Sequence, residues 1–390
     1  MNSSLHKRPT VLVLISSEGY FGAENMLVAL AVSLDQLECT PIVGVFTDAR
    51  SPHVEVEEQA RTRGLRTELI PCAGRVDWRT VRYIRRLMRD HGADVLHTHG
   101  YKADLYALVA SRRTHTALVT TAHNWPSREW MMRAYAALDR RAMRSFDRVV
   151  TVSDEVGEIV RRSGVAAKKV VTISNGVEPG RFELGKPTLR AELACNDQAV
   201  VGFVGRFVAD KGGDILLRAA QQVLQVHRKT RFVLVGDGPC RQPWESLATE
   251  LGIAEQVSFA GVRQDMPDVY ASFDVFVLPS LCEAMPMCVL EAMAAKKPVI
   301  ATRVGAIAKL VEPERTGTLV ETGNVGELAA AVIRTLGDPE AARRQGEHGH
   351  ARVIRDFSSE SMAREYLSVY RDVLQLRGNA RAGLPAWGIN

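Results

Sequence analysis

The chain has 390 residues, of which 46% are hydrophobic and 24% charged, proportions that exclude a disordered or low-complexity polymer. Fifty Lys and Arg against 45 Asp and Glu give a formal net charge of +5, with 28 basic and 23 acidic side chains in residues 1–200. This excess is smaller than the basic stripe of a DNA-binding protein, so we expect no nucleic-acid partner. The positive excess is consistent with binding of an anionic ligand or an anionic membrane surface, or simply with an Arg-rich face that is solvated.

Cysteine usage and apolar run lengths predict the cellular compartment. The six cysteines form no CxxC pair and no Cys/His cluster with zinc spacing, so we expect reduced thiols. The N-terminal apolar run at 11–15 is shorter than a signal-peptide core, and no stretch approaches the roughly 20 apolar residues of a membrane span. We therefore expect a cytoplasmic protein that is soluble or rests on the inner face of the cytoplasmic membrane.

Short β-rich runs alternate with segments of helical periodicity, such as 23–34 and 77–90. In the first half, strands are predicted at 11–15, 40–46, 95–98, 118–121 and 148–152. The pattern then restarts, with strands predicted at 199–204, 231–235, 256–259, 275–279, 298–301 and 317–320. This alternation is typical of an α/β fold in which helices cover both faces of a parallel sheet.

The division between the two halves is predicted in residues 174–199, a stretch rich in Gly, Pro and polar residues that is typical of an exposed linker. We expect an N-terminal Rossmann-like domain at 1–180 and a C-terminal one at 198–358, facing one another across a cleft. A helix is predicted at 359–376, packing back towards the N-terminal domain, with a loose tail after it. Ligands of such sheets bind beyond the carboxyl ends of the strands.

The loop after the first strand of each half carries candidate binding residues. Gly19 and Gly22 allow a ligand to approach the backbone before a helix, although turn glycines are also common for steric reasons. In the second half, Gly205 ends a strand, and Arg206 and Lys211 stand on the turn before the next helix. Two cations on a glycine-flanked turn predict a phosphate or diphosphate site.

Two glutamates flank the start of a further predicted helix. Pro286 is well placed as its first residue, which leaves Glu283 on the preceding loop and Glu291 inside the helix. Eight helical residues would turn two side chains about 80° apart, so a paired acid and base is disfavoured. Separate roles fit better: Glu283 near a reacting sugar, and Glu291 accepting hydrogen bonds from a diol such as ribose. The structural alternative is that these carboxylates only complement the helix dipole.

Over almost its whole length the chain resembles the retaining GT-B glycosyltransferases of family 4, the glycosyl transferases group 1. The motifs that carry the resemblance occur in the family's order. They are 22–24 (GAE), 96–100 (LHTHG), 121–123 (TAH), 151–154 (TVSD), 174–177 (SNGV), 205–207 (GRF) with Lys211, 235–239 (VGDGP), and Glu283 with Glu291. The resemblance implies the GT-B fold, in which two Rossmann-like domains bind acceptor and donor.

The resemblance also implies a role for individual residues. Arg206 and Lys211 would hold the donor diphosphate and stabilise charge on the leaving nucleotide. Glu291 would bind the ribose and Glu283 the sugar hydroxyls, while His123 would lie beside the sugar and the acceptor. The implied donor-binding residues are Gly22, Gly205, Arg206, Lys211, Glu283, Met287 and Glu291, and the implied catalytic ones are His123, Glu283, Arg206 and Lys211. The family works without a cofactor or a metal.

The implied reaction moves a hexose from a nucleotide sugar, UDP-linked in most relatives, to a saccharide or lipid-linked acceptor in surface polysaccharide or glycolipid biosynthesis. Two departures from the family pattern concern the donor sugar: Ala284 replaces a common Gly, and 305–309 (GAIAK) replaces Gly-Gly-x-Pro-Glu. Two alternatives stay open. One is a nucleotide-sugar 2-epimerase of the same fold, and the other is a non-catalytic nucleotide-sugar-binding protein.

A basic segment in the first half allows peripheral contact with an anionic membrane. Residues 77–90 predict a helix with five arginines beside apolar residues, and Trp125, Trp130, Met131 and Met132 lie near Arg128 and Arg133. Such a surface can rest on anionic headgroups and receive a lipid-linked acceptor. The alternative, which we favour, is an ordinary helix that covers a sheet and extends its arginines into solvent.

Overall fold

The computed structural model describes residues 8–17, 19–48, 52–74, 77–123 and 130–382, with the backbone alone for 130–135 and 379–382. The chain divides into two compact units. Unit 1 comprises residues 1–175 and 359–390, and unit 2 comprises 176–358. Each unit is an open parallel sheet covered by helices.

The sheet of unit 1 has seven parallel strands in the order β3-β2-β1-β4-β5-β6-β7. The strands are β1 (Thr10–Ile15), β2 (Thr40–Thr47), β3 (Arg66–Pro71), β4 (Val95–His99), β5 (Ala117–Ala122), β6 (Arg148–Thr151) and β7 (Val170–Thr172). The five predicted strands are confirmed. The two missed strands, β3 and β7, lie at the sheet edges: only one of the six residues of β3 is buried, and β7 is only three residues long.

The helices of unit 1 bury one apolar face against this sheet. They are α1 (Gly22–Gln36), α2 (Glu55–Thr62), α3 (Trp78–Asp90), α4 (Tyr101–Ala110), α5 (Trp130–Met143) and α6 (Asp154–Arg162). In α3 the buried residues Val81, Ile84, Leu87 and Met88 recur at helical spacing. Asp77 caps that helix by accepting a hydrogen bond from the Arg79 amide at 2.8 Å.

The sheet of unit 2 has six parallel strands in the order β10-β9-β8-β11-β12-β13. The strands are β8 (Ala199–Val204), β9 (Thr230–Val235), β10 (Val257–Gly261), β11 (Val275–Leu278), β12 (Val299–Thr302) and β13 (Gly317–Val320), which confirms all six predictions. The helices are α7 (Pro179–Glu183), α8 (Thr188–Glu192), α9 (Gly213–Val226), α10 (Arg241–Glu250), α11 (Met266–Ala271), α12 (Met287–Ala294), α13 (Ile307–Leu310), α14 (Val325–Gly337) and α15 (Pro339–Asp356).

In both sheets the strand order reverses beside the first strand, between β1 and β4 in unit 1 and between β8 and β11 in unit 2. Loops that leave the carboxyl ends of such strands diverge to opposite faces and open a crevice, where ligands of doubly wound folds bind.

The predicted domain bounds, 1–180 and 198–358, stay a prediction. The compact units are divided at a different place, between residues 175 and 176. Most of the predicted linker is therefore part of unit 2. Phe182 on α7 and Leu189 on α8 are buried, and the Phe182 ring packs edge-on against Tyr270 with centroids 5.8 Å apart.

The last helix, α16 (Ser359–Ala382), continues beyond the predicted end at residue 376. It belongs to unit 1, where it packs against α1, and the Ser33 and Ser359 hydroxyls lie 2.9 Å apart. Buried Tyr366 and Tyr370 fix the helix to the sheet. The part of the predicted tail after Ala382 lies outside the described residues. Within the described ranges, no helix is both long and apolar enough to cross a bilayer.

Candidate functional site

A lysine–glutamate pair lies at the switch point of unit 2. Lys211 follows β8 and Glu283 follows the neighbouring strand β11, and Lys211 Nζ donates to Glu283 Oε1 at 2.5 Å. The Ser280 hydroxyl donates to the same oxygen at 2.7 Å. The two side chains are 21% and 8% exposed, so the pair is largely withdrawn from water yet open to a ligand.

The pKa of Lys211 reflects two opposing influences. Burial acts most strongly and lowers the pKa, but the charge and hydrogen bond of Glu283 outweigh it, so the pKa lies above its ordinary value. Nearby, burial raises the pKa of the Cys288 thiol to about 12. At neutral pH the site therefore holds an ammonium cation, and Cys288 is a neutral thiol.

The loop that carries Arg206 is held by main-chain contacts. The Gly205 amide donates to the Val235 carbonyl at 3.0 Å. A Cβ on Gly236, whose φ is +134°, would lie 2.0 Å from the Gly205 carbonyl oxygen, so only glycine fits there. Arg206 itself is exposed and forms no ion pair with any residue in the described part of the chain. The loop after β8 thus carries the exposed guanidinium of Arg206 as well as the paired ammonium of Lys211.

Glu291 lies inside α12 and is only 6% exposed. Its Oε2 accepts a hydrogen bond from the Tyr270 hydroxyl at 2.8 Å. Burial, and then the charge of Glu291, raise the pKa of Tyr270 well above its usual value, so this phenol stays a donor. The helix begins at Met287, which is buried, and Pro286 is its N-cap rather than its first residue as predicted. Sequence reasoning missed Tyr270 because nothing in the spacing links it to Glu291.

The unusual loop 305–309 touches the residue expected to meet the donor sugar. Gly305 has a φ of +50°, and a Cβ there would lie 1.8 Å from the Glu283 carbonyl oxygen. The Ala306 amide donates to the Ala284 carbonyl at 3.2 Å. Both departures from the family pattern, Ala284 and 305–309, therefore adjoin Glu283.

In unit 1, three histidines cluster at the carboxyl ends of β4 and β5. His99 ends β4 and His123 follows β5, with His99 Nδ1 and His123 Nε2 3.0 Å apart. Burial lowers the pKa of His97 to about 3, that of His123 to about 4, and that of His99 well below its ordinary value. All three imidazoles are neutral at physiological pH. Within the described ranges, no three His, Cys, Asp or Glu side chains are arranged to hold a metal ion.

Gly22 is the first residue of α1, at the carboxyl end of β1 on the same sheet edge as the histidines. The Glu24 carboxylate accepts the Phe21 amide at 3.1 Å and the Ser17 hydroxyl at 3.0 Å, so the helix N-terminus is already partly capped. Unit 1 thus holds Gly22 and His123, and unit 2 holds Gly205, Arg206, Lys211, Glu283, Met287 and Glu291.

Comparison with known proteins identifies the family to which the chain belongs. Residues 21–181 match the family model described as glycosyltransferase family 4, and residues 198–338 match that described as glycosyl transferases group 1. The chain is 31% identical over 313 residues to the D-inositol 3-phosphate glycosyltransferase of Saccharomonospora viridis, covering 74% of this chain and 72% of that relative. It resembles the crystal structure of Anabaena Alr3699/HepE in complex with UDP and glucose, with a TM-score of 0.82, 22% identity, and coverage of 94% of this chain and 100% of that one.

These matches define a GT-B glycosyltransferase. The chain belongs to glycosyltransferase family 4, the glycosyl transferases group 1, as its motifs predict. It is also 28% identical over 242 residues to the alpha-D-kanosaminyltransferase of Streptomyces kanamyceticus, covering 60% of this chain and 63% of that relative. Two further glycosyltransferase relatives are matched over 61% and 64% of their length. The chain thus spans slightly less than two thirds of several curated relatives.

Proposed function

We propose that this chain is a retaining, metal-independent hexosyltransferase of the cytoplasm. It transfers a hexose from a UDP-linked sugar to a saccharide or lipid-linked acceptor in surface polysaccharide or glycolipid biosynthesis. The observation that carries the proposal is the contact of Lys211 with Glu283 at the switch point of the unit 2 sheet, on the loop that also carries Arg206, which forms no ion pair with the described residues. Two cations at the carboxyl ends of the strands suit a diphosphate.

The pair also supports an order of events. A diphosphate carries more negative charge than one carboxylate, so it competes with Glu283 for the ammonium of Lys211. When Lys211 turns to the phosphate, Glu283 Oε1 is left to accept a hydrogen bond from a sugar hydroxyl. As the bond between C1 and the phosphate oxygen breaks, Lys211 and Arg206 stabilise the charge that develops on UDP.

Retention follows from attack on the face that the diphosphate leaves. The acceptor oxygen bonds to C1, the electron pair of the broken bond goes to UDP, and the acceptor proton passes to the departing phosphate oxygen. With the donor bound, Glu283 Oε1 accepts hydrogen bonds from the Ser280 hydroxyl and from a sugar hydroxyl, which disfavours a role as nucleophile. A covalent glycosyl-enzyme trapped on any side chain would contradict this mechanism.

The relatives support the donor more closely than the acceptor. Alr3699/HepE was crystallised with UDP and glucose, which favours a uridine diphosphate sugar here. The relatives named for D-inositol 3-phosphate and for kanosamine transfer differ in what they act on, so we propose the acceptor only by class.

Calorimetry with UDP, GDP, ADP and their glucose conjugates tests the proposal. We expect UDP to bind and to raise the melting temperature, because a ligand that binds only the folded state stabilises it. Absence of binding by all the nucleotides would overturn the proposal. Incubation with UDP-sugar alone separates the alternatives: an epimerised nucleotide sugar indicates a 2-epimerase, and binding without hydrolysis or transfer to any acceptor indicates a binding protein.

Contact of α3 with an anionic membrane stays a prediction. Its five arginines are exposed, but the Arg85 guanidinium donates to the carbonyls of Val109 and Ala110. Arg86 and Arg89 lie 3.1 and 3.4 Å from Asp90. The other residues of the predicted surface, 125 and 128 together with the side chains of 130–133, lie outside the described residues. Flotation with anionic liposomes tests the contact, and no binding at low salt would exclude it.

A further inference from the structure

Strand β4 has polar residues on both faces, although strands inside a parallel sheet are usually apolar. Because side chains alternate along a strand, His97 and His99 share one face, and their ring centroids lie 4.4 Å apart. His97 has a partner at each nitrogen, with Tyr370 Oη 2.8 Å from Nδ1 and Thr121 Oγ1 2.8 Å from Nε2. Both ring nitrogens of His97 are therefore satisfied inside unit 1, as expected for a structural histidine.

His99 differs from His97 in one respect. Its Nδ1 contacts His123 Nε2 at 3.0 Å, but its own Nε2 is buried and has no hydrogen-bond partner among the residues that the structure describes. His99 is 3% exposed and lies at the carboxyl end of β4, on the side of the sheet where ligands of this fold bind. His123 is partly exposed, and its Nδ1 makes no hydrogen bond with the described residues. The contact therefore joins a buried ring to an accessible one.

The unpartnered Nε2 of His99 decides which ring donates. Each neutral imidazole has one protonated nitrogen, so a single proton lies between the two rings. If His123 donated it, the proton of His99 would sit on Nε2 as a buried donor without an acceptor. If His99 Nδ1 donates, Nε2 is left with a lone pair instead. A buried N–H donor without a partner is rarer in proteins than a buried acceptor without one, so the second arrangement is favoured.

We propose that His99 is a positioning residue that holds His123 in the tautomer protonated at Nδ1. His123 then presents a fixed N–H donor to a sugar hydroxyl oxygen at the carboxyl end of β5. This assignment rests on the proposed function of His123 beside the donor sugar and the acceptor. The new element is His99, which sets the direction of the hydrogen bond between His123 and the sugar.

Nitrogen-15 NMR of the histidine-labelled full-length protein tests the tautomer without relying on activity. We expect the shift of a protonated nitrogen at Nδ1 of both rings and the shift of an unprotonated nitrogen at both Nε2 atoms. Signals are assigned by their loss in the His99→Asn and His123→Asn variants. A protonated Nε2 on His123 in the wild-type protein would overturn the proposal.

Two substitutions of His99 separate positioning from packing. In His99→Asn the side-chain amide can replace Nδ1–H, whereas in His99→Gln the amide lies farther out, near Nε2. With UDP-glucose as donor and UDP release as the readout, we expect His99→Asn to keep kcat within about 3-fold and His99→Gln to lower it about 30-fold. The donor KM should change little in either variant, because the diphosphate residues belong to unit 2.

Tyr370→Phe serves as the matched control, since it removes a hydrogen bond from the same cluster but leaves the contact of His99 with His123 intact. We expect it to lower the melting temperature and keep kcat. Equal kcat values for His99→Asn and His99→Gln would overturn the positioning role. If the wild-type chain turns over no nucleotide sugar, the proposed function fails, while the NMR result still decides the tautomer.

Discussion

Lys211 Nζ and Glu283 Oε1 lie 2.5 Å apart although 72 residues separate them in the chain. The contact is made because β8 and β11 are neighbours in the sheet and the loops that leave them are joined, with the Leu281 amide donating to the Asp210 carbonyl at 2.7 Å. A Cβ on Gly212 would lie 2.2 Å from the Pro279 carbonyl oxygen, so the two loops meet main chain to main chain. Under the proposed function, this geometry allows a diphosphate to replace the Glu283 carboxylate as the partner of the Lys211 ammonium.

Substitutions at the two ends of this ion pair should have different effects on UDP binding. Lys211→Ala should weaken UDP binding and lower kcat, each by about 100-fold, because a charge-assisted contact with the diphosphate is lost. Glu283→Gln should lower kcat but leave UDP affinity unchanged or higher, because the amide no longer competes for Lys211. Calorimetry with UDP and steady-state kinetics measure both quantities. Equal losses of UDP affinity in the two variants would show that Glu283 and the diphosphate do not share the ammonium.

The contact of Tyr270 with Glu291 should affect donor binding but not chemistry. Glu291→Ala removes the proposed ribose ligand and should raise the donor KM about 10- to 100-fold with a smaller change in kcat. Tyr270→Phe removes only the 2.8 Å hydrogen bond to Glu291 and should raise the donor KM by a few-fold. Initial rates over a range of donor concentrations provide the measurement. A loss confined to kcat in both variants would place these residues at the reacting atoms instead.

Gly305→Ala should damage the site through Glu283. The new Cβ would lie 1.8 Å from the Glu283 carbonyl oxygen, so the loop must move and kcat should fall by about 10-fold or more. Gly323→Ala is the matched control, because Gly323 also has a positive φ of +77° but a Cβ there would meet no heavy atom within 4 Å. Gly323→Ala should lose about 1 kcal/mol of stability from backbone strain, and Gly305→Ala should lose more because of the added overlap with main chain. A comparable loss of kcat in the control would mean that strain alone explains the effect.

The sequence predicted most of the sheets because buried parallel strands such as Val275–Leu278 are short and continuously apolar. Edge strand β3 was not predicted because only Ile70 among its six residues is buried. The motif pattern identified Lys211 and Glu283 individually. It could not show that they contact each other, or that Tyr270 reaches Glu291, because both contacts depend on tertiary packing between distant loops and helices. The LHTHG motif marked β4, but the difference between His97 and His99 appears only when the partners of each ring nitrogen are known.

A pair of buried carboxyl groups lies on the opposite face of β4. Asp104 on α4 and Asp139 on α5 are both buried, and the charge of Asp139 acts on Asp104. The hydroxyls of Thr98 and Thr120 also donate to Asp104. Burial, followed by the charge of Asp139, raises the pKa of Asp104 well above its ordinary value of 3.8. Asp104 therefore keeps its proton in the folded state at pH values where a free carboxyl group has lost it.

This pair should make the folded protein less stable as the pH rises. Above pH 3.8 the unfolded chain releases the proton of Asp104 while the folded chain keeps it, so the free energy of unfolding falls with pH until the native pKa is passed. In Asp104→Asn the amide oxygen still accepts from the two threonines, and the side chain has no proton to lose. The stability of this variant relative to wild type should therefore increase with pH by up to about 1.4 kcal/mol per unit.

Urea denaturation of both proteins between pH 5 and 8 measures this difference. The neutral histidines act in the other direction, since the unfolded chain protonates them below about pH 6.5 while the folded chain does not, so their contribution to stability is lost as the pH falls. Taking the difference between the two proteins cancels that contribution, because His97 and His123 are present in both. Asp372→Asn, at an exposed position on α16, controls for the loss of one negative charge. A difference between Asp104→Asn and wild type that stays constant with pH would show that Asp104 is ionised in the folded protein.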